Sequence, residues 1–598
     1  MSRRVLRRVV LPGGPDTWVL LITGGDRGPV GVVSDQEPGP DPLAEAATLA
    51  QVVFGHAALR PGQRRALAPM LAGRDTLAVL ATGSGKSAIY QLAGGLTVVV
   101  SPLVALQRDQ LRALTTRRLP DGRPVRAAQL NGTVHAAEAR AAATAVTTGD
   151  LDFLLVGPEQ LQRPATRAPL AASARPCRLL VVDEAHLVSE WGLDFRPDYL
   201  RLTETRELLG APQVLAPTAT AAPPVQSEIT RRLGMRDPAV VVAGFDRPNV
   251  RLAVRTVRAG SDRDHAHLDD LVVREVLAGA TPALVYAASH RHCEELAARL
   301  SRVVLRAEPY HAGLPAAQRA ATQDAFLSGG LDVVVATSAL GLGIDKPDVR
   351  SVVHASPPGS LDEYYQEVGR AGRDGRPARA VLVFDGADLR LPRLFAAGAR
   401  VHDDDVAVVL AEPARAAGPV ELADLGPRVG LGARRAEKVV QRLADAGAVT
   451  LADGVVRPVA TGHADDVTAG RVHDAEAARQ AVAASRIDAV RHYAETQHCR
   501  RAELLAYFGE AYTPPCGNCD NDSHPPPRTL RGYVAMAPEP PPRPAAVGAG
   551  TRVVHTAWGP GVVLAADAHE LLVVFDAVGY RHLTPATLTS GLLTVADA

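Results

Sequence analysis

The segment ATGSGKS at positions 81–87 brings two glycines, a lysine and two serines together at a spacing suited to holding phosphate oxygens. Gly83 and Gly85, with Ser84 between them, let the backbone close around an anion. Lys86 can reach a terminal phosphate, and the Ser87 hydroxyl can ligate a divalent cation. The alternative is a chance glycine-rich loop, but only three lysines occur in 598 residues, Lys86, Lys346 and Lys438, and one stands where this chemistry requires it. A second constellation, Asp183-Glu184-Ala185-His186, follows the apolar run 179–182. The Asp183 carboxylate can hold Mg²⁺, Glu184 can orient and deprotonate an attacking water, and His186 can couple the pair to its surroundings. An acidic pair after a strand caps a helix equally well when it stands alone. Downstream of a phosphate loop it reads as a site for hydrolysing a nucleoside triphosphate, with ATP and Mg²⁺ as the expected cofactors.

These residues need rigid elements to position them. Leu77–Leu80 reads as a buried strand, 81–87 as a turn and 87–92 as the start of a helix, so the helix N-terminus points its N–H groups at the phosphates. From about 48 to 390, short apolar runs such as 97–100, 179–182, 283–286 and 333–336 alternate with Ala/Arg/Glu/Leu stretches. That alternation predicts an α/β fold of parallel sheets covered by helices, arranged as two lobes, 48–243 and 244–395, with a joint near 244–249. Residues 1–47 carry strand-like pieces at 17–23 and 30–33 and a Pro/Gly/Asp linker at 37–42; no function is read from them.

Further along, 433–446 places Ala436, Val439, Val440 and Leu443 on one helical face, with Arg434, Arg435, Lys438 and Arg442 on the other. A hairpin follows, 449–451 and 455–457 around Asp453-Gly454. This predicts a winged-helix-like module over 400–465; an ordinary amphipathic core helix with solvated arginines is the competing reading. Cys499, Cys516 and Cys519 cluster in 470–527, with Asp522 and His524 close behind, and the donor set suits Zn²⁺ with a carboxylate or imidazole as fourth ligand. A knuckle of the same shape without metal is the alternative. Proline-rich stretches at 525–527 and 538–544 mark a linker over 528–547 before a small strand-rich module at 548–598.

Composition excludes some classes. Lys+Arg and Asp+Glu both number 65, so net charge offers no argument for a polyanionic partner, and any nucleic-acid contact must use local arginines. No run of 18 apolar residues occurs, and MSRRVLRR is not followed by a long apolar stretch. The expectation is a chain with no membrane partner, working in the cytosol. Five cysteines spread over this length do not make a disulfide framework.

From 54 to 375 the chain resembles the RecQ helicases of superfamily 2, motif by motif and in order. FGHAALRPGQ (54–63) is similar to the adenine-reading motif; the resemblance implies that Gln63 bonds the base edge, Arg60 helps hold it, and His56 stands where a tyrosine would stack. SPLVALQRDQ (101–110) and LNG (130–132) resemble strand-contact motifs. EWGLDFRPDY (190–199) resembles the aromatic-rich loop that couples DNA binding to hydrolysis. There Trp191 and Phe195 can stack on bases while Arg196 supplies charge, unless these aromatics are buried core. PTAT (217–220) resembles the interlobe coupling motif, with Pro217 in place of a threonine or alanine. YHAGL (310–314), ATSALGLGIDKPDV (336–349) and YYQEVGRAGRDG (364–375) complete the set. They imply that Asp345, Arg370 and Arg373 face the nucleotide, the two arginines one helical turn apart and able to stabilise a transferred phosphoryl group.

The resemblance implies ATP-dependent 3′-to-5′ DNA unwinding at single-strand/duplex junctions, in repair or recombination. Two departures stand out. Asp522 occupies the fourth cysteine position of the family's zinc module, and the winged-helix-like segment precedes that module instead of following it. The segment 552–583 resembles the Tudor-like tail of UvrD/PcrA helicases, which implies a small SH3/Tudor-like β-barrel that docks to RNA polymerase, with Trp558 as exposed anchor or core residue. A competing expectation follows: a polymerase-recruited translocase or ATPase switch that does not itself unwind.

Overall fold

The computed structural model describes residues 5–9, 17–21, 41–523 and 547–596, apart from 82, 103, 190–198, 200, 258–261, 304, 341–345, 399–400, 416–417, 453, 460–464 and 567–569. These residues form two compact units, one holding both lobes and 496–530, the other 357–361, 384–495 and 531–598. At the N-terminus, β1 (Val5–Val9) and β2 (Thr17–Leu21) pair as an antiparallel hairpin with Val5 opposite Leu21. The expected strand at 30–33 and the first part of the 37–42 linker lie outside the described residues.

In the first lobe the apolar runs become strands: β3 (Thr76–Leu80), β4 (Leu96–Val100), β5 (Ala127–Leu130), β6 (Phe153–Val156), β7 (Cys177–Val182), β8 (Gln213–Thr218) and β9 (Ala239–Ala243). They form one parallel seven-stranded sheet in the order β5-β6-β4-β7-β8-β3-β9. β3, β4 and β6 are buried along their whole length, which is why they read as continuous apolar runs without alternation. The boundary at 47/48 needs correcting. Residues 42–52 form a helix, started by the Asp41 side chain accepting from Leu43 N at 3.0 Å and by Pro42 in its first turn. Ala46 and Ala50 of that helix are buried in the core of the first lobe, so the lobe begins at 41.

The second lobe repeats the plan with β10 (Val250–Thr256), β11 (Ala283–Tyr286), β12 (Ala307–Tyr310), β13 (Val333–Ala336), β14 (Ser351–His354) and β15 (Ala378–Phe384), in the order β10-β15-β14-β11-β13-β12. Both lobes are RecA-like, with the loops at the carboxyl ends of β3 and β7 carrying the phosphate-handling residues.

In the other unit, helices Asp403–Arg415, Leu422–Val429 and Ala433–Asp445 pack on a three-stranded antiparallel sheet, β16 (Val420–Glu421), β17 (Val449–Ala452) and β18 (Val455–Pro458), in the order β16-β18-β17. Ala436, Val439, Val440 and Leu443 are all buried, as the periodicity requires. Helix 433–445 is followed by the antiparallel hairpin of β17 and β18. Residues 465–495 form one 31-residue helix, Asp465–Glu495, which belongs to this second unit, whereas 496–523 belong to the first. The C-terminal segment is an antiparallel sheet of β19 (Arg552–His555), β20 (Gly559–Ala566), β21 (Leu571–Phe575), β22 (Gly579–Leu583) and β23 (Leu593–Val595), in the order β22-β21-β20-β19-β23. Trp558 packs partly into its core, stacked on His555 at 4.0 Å and edge-on to Phe575 at 5.4 Å. Gly561 is required there, because a Cβ would strike the Phe575 ring.

Candidate functional site

The phosphate loop leaves the buried strand β3 and enters helix Ser87–Gln91. Gly83 (φ +76°) and Gly85 (φ +75°) take the left-handed conformation, which opens the loop into a cradle of backbone groups. A Cβ on Gly85 would collide with Gln63 Nε2. Around the loop, Arg60 Nη1 donates to Gly83 O (2.6 Å), and Gln63 Nε2 donates to Ser84 O and Gly85 O, both at 2.9 Å. Gln63 Oε1 accepts from Arg60 N at 2.7 Å. Lys86 Nζ donates to Leu80 O at 3.3 Å, a carbonyl of the strand end that phosphate oxygens would replace as partner. The buried Ser84 Oγ makes no hydrogen bond among the described residues. The loop therefore fits a polyphosphate: a glycine cradle, a cation and an unsatisfied hydroxyl line one concavity. His56 sits at 3.5 Å from Gln91 Oε1 and stacks against Phe54 at 6.5 Å between ring centroids.

Asp183 and Glu184 lie at the end of β7. Asp183 is buried, with its carboxyl pushed up to about 7 by burial first and by the adjacent Glu184 second, while Lys86 pulls it down. Divalent cation at this position would supply charge neutralisation of both Asp183 and a bound triphosphate. Glu184 adopts φ +49°, uncommon for a residue with a side chain. Its buried Oε2 lies 3.4 Å from His186 Nδ1 and accepts no hydrogen bond among the described residues, leaving a carboxylate oxygen free to take a proton from water.

His186 carries the site onward. Its Nδ1 is 2.9 Å from Thr218 Oγ1, that hydroxyl donates to Thr220 O at 3.1 Å, and Thr220 Oγ1 accepts from Gln366 Nε2 of the second lobe at 2.8 Å. A run of polar contacts thus leads from Glu184 through His186, Thr218 and Thr220 to Gln366 of the second lobe. Thr218 and Gln366 were not singled out from the sequence, although both lie inside segments read as motifs.

The second-lobe arginines differ from the expectation in backbone. Helix Leu361–Val368 ends before them, so Arg370 and Arg373 stand on the turn 369–375 and not on a common helical face. Arg373 reaches across to the phosphate loop: a Cβ on Gly83 would be 3.5 Å from Arg373 Cδ. Arg370 is buried in its own lobe against Tyr286 and Glu367. Residues of the interlobe joint hold the turn in place. Arg247 donates to Gly369 O (3.1 Å), Ala371 O (2.7 Å) and Gly372 O (3.1 Å), and Asn249 Nδ2 donates to Gly372 O (2.8 Å) and Arg376 O (2.9 Å). The signal that would have found Arg247 was its place in the joint, which composition does not reveal.

The cysteine cluster assembles as its spacing implies. One ligand atom each from Cys499, Cys516, Cys519 and Asp522 lies within 4.8 Å of the others. Three thiols and a carboxylate fit Zn²⁺, and Asp522 is held by backbone donors from Cys516 (2.6 Å) and Gly517 (3.0 Å). Despite its late position in sequence, this cluster packs directly on the second lobe. Leu252 N donates to Asn518 O (3.2 Å) and Val254 N to Asp520 Oδ2 (2.8 Å), adding the segment to the edge of β10. Arg501 bridges Asp246 (2.6 Å) and Val250 O (2.8 Å), Tyr507 donates to Asp362 (2.6 Å), and Phe508 stacks on Phe245 at 4.5 Å. Trp191, Phe195, Arg196, Asp345 and His524 lie outside the described residues. Among the described residues no helix is long and apolar enough to cross a membrane.

The chain is similar in sequence to known proteins over most of its length. The family described as DEAD/DEAH box helicase matches residues 60–228, the helicase conserved C-terminal domain matches 267–375, and the RecQ zinc-binding domain matches 463–523. A probable ATP-dependent DNA helicase RecS of Bacillus subtilis is 32% identical over 478 residues, covering 79% of this chain and 90% of its own length. The ATP-dependent DNA helicase RecQ of Pasteurella multocida is 31% identical, covering 81% of this chain and 63% of its own length. Among solved structures, Mycobacterium smegmatis helicase Lhr bound to single-stranded DNA and AMP-PNP aligns with a TM-score of 0.48 at 24% identity, over 74% of this chain and 63% of that one. Two RecA-like lobes around a phosphate loop and a DEAH pair, a zinc-ligand cluster on the second lobe and relatives at this identity establish that the chain belongs to the RecQ family of superfamily 2 helicases.

Proposed function

We propose that the protein is an ATP-driven DNA helicase that moves 3′ to 5′ along one strand and opens single-strand/duplex junctions in repair or recombination. The observation that carries this reading is the polar chain from Glu184 through His186, Thr218 and Thr220 to Gln366, because it joins the hydrolytic carboxylate in one lobe to the arginine-bearing segment of the other. In this reading Lys86, Ser84 and the glycine loop bind the triphosphate, and Ser87 and Asp183 hold Mg²⁺. Glu184 takes the proton of the attacking water, and Arg373 neutralises charge building on the phosphoryl group. Arg60, Gln63 and His56 shape the base end of the site, while Arg370 braces the turn from within its lobe. Asp345, Trp191, Phe195 and Arg196 are assigned by motif: the first to the nucleotide side, the others to DNA. ATP hydrolysis measured with and without single-stranded DNA tests this. Wild type should be DNA-stimulated, and Glu184→Gln should bind ATP and turn over at least about 100-fold more slowly; equal turnover in the two would overturn the assignment.

The C-terminal sheet supports a partner for this motor. By sequence likeness to Tudor-like helicase tails, residues 548–598 would bring it to RNA polymerase at the nucleoid. Deleting them should leave strand separation intact and abolish binding to purified polymerase; unchanged binding would sink that extension.

A further inference from the structure

The helix Asp465–Glu495 and the C-terminal sheet, both in the second unit, meet along one stripe. Val482 and Ser485 face Gly579, whose left-handed backbone (φ +71°) leaves no room for a Cβ, and Ser485 Oγ accepts from Tyr580 N at 3.1 Å. Two turns further along the same helical face comes His492, and two residues further along β22 comes His582. Their rings stack with centroids 3.7 Å apart and planes 28° from parallel. Leu572 is directly opposite His582 in the sheet, so Glu570 occupies the same face as a diagonal neighbour of His582. Glu570 Oε1 is 2.7 Å from His582 Nδ1. One ligand atom from each of His492, Glu570 and His582 lies within 4.8 Å of the other two.

We propose that these three side chains form a second metal site, separate from the cysteine cluster, which takes a zinc-class divalent cation and clamps the C-terminal sheet to the long helix. The donor set is two imidazoles and a carboxylate, which borderline-soft cations accept, and water completes the tetrahedron. Nitrogen and oxygen ligands about 2.0–2.2 Å from such an ion stand roughly 3.3 Å apart, so the observed separation requires only small side-chain rotations. The backbone already brings the donors together from three separate places: the last turn of the helix, the residue before β21 and the middle of β22. The docking contacts at Ser485 and Gly579 fix the helix and strand in step, which holds the pair of histidines at one end of the stripe. All three groups are partly solvent-accessible, with Glu570 and His582 side chains 30% and 27% exposed, so an ion can enter from water.

The test is zinc stoichiometry on the full chain, dialysed against buffered low free zinc and read by elemental analysis, for wild type, His582→Ala and Glu570→Gln. ATP hydrolysis of each variant serves as a check that it folds. Wild type should hold two equivalents and each variant one, with unchanged ATPase. Hydrogen exchange over 571–583 should slow when Zn²⁺ is added to wild type and not when it is added to either variant. Equal zinc content in all three proteins, or the same exchange response to Zn²⁺ in all three, would overturn the proposal and leave the cluster as an ion pair with stacked rings. Should His582→Ala lose ATPase through misfolding, the conservative Glu570→Gln variant decides the question.

Discussion

Replacing Thr218 by valine removes one hydroxyl from the middle of the polar chain while keeping the shape of a fully buried side chain. In the wild type that oxygen is 2.9 Å from His186 Nδ1 and 3.1 Å from Thr220 O, and it accepts from Thr220 N at 3.4 Å. None of these partners belongs to the phosphate loop, so ATP binding should be little affected. A buried hydrogen bond contributes about 1 kcal/mol net, and a partner left unsatisfied costs about 1–3 kcal/mol. If that energy is what ties Glu184 geometry to the position of Gln366, the DNA-stimulated kcat falls by about 5- to 150-fold, since about 1.4 kcal/mol is tenfold in rate. KM for ATP and the basal rate without DNA should stay close to wild type. Steady-state ATPase assays across ATP and DNA concentration separate these parameters. Full DNA stimulation in Thr218→Val, or a raised KM for ATP at unchanged kcat, would refute the reasoning.

Three further outcomes follow from buried polar groups. Asp75→Ala should destabilise the first lobe by about 3–5 kcal/mol in denaturant unfolding, because Asp75 is buried with Arg206 (2.9 Å) and also accepts from Val214 N (2.8 Å) and Arg236 N (2.7 Å), leaving a buried guanidinium uncompensated; a loss under 1 kcal/mol would contradict it. Burial pushes the Glu367 carboxyl up to about 8 beside His354, which burial holds down at about 3, so the pair (2.8 Å apart) is neutral near pH 7 and Glu367→Gln should retain most ATPase activity. Because the folded pKa of Glu367 exceeds the unfolded one, its stabilising contribution is complete below about 4.5 and disappears as pH rises through about 8. Wild type should therefore lose stability relative to Glu367→Gln between about pH 4.5 and pH 8, and parallel pH profiles across that window would count against it. Cys516→Ser should lower bound zinc by one equivalent and bring forward the thermal transition of the first unit, since the cluster adds Asn518 and Asp520 to the edge of β10; unchanged zinc content would exclude Cys516 as ligand.

Much of the motor was legible in the sequence because its chemistry is local. The strand-loop-helix of 76–91 and the DEAH pair depend on consecutive residues, and strands β4, β11 and β13 fall where continuous apolar runs place them. Long-range packing was not legible. That Arg247 and Asn249 clamp a turn more than a hundred residues away, or that Arg501 reaches Asp246, requires knowing which segments meet. The helix before Arg370 reads longer in sequence because GRAGRDG gives no apolar periodicity to mark the end at Val368; three glycines in the turn, Gly369, Gly372 and Gly375, break it. The start of helix 42–52 falls outside the lobe in the sequence reading because Pro42 signals a break at the end of the 37–42 stretch, whereas after Asp41 it starts a helix.

Strand separation is the most direct test of the central claim. Duplexes carrying either a 3′ or a 5′ single-stranded tail are incubated with ATP and Mg²⁺, comparing wild type with Lys86→Ala. The account predicts unwinding of the 3′-tailed duplex by wild type alone. DNA-stimulated ATP hydrolysis without strand separation on either substrate would contradict it and identify a translocase or switch instead.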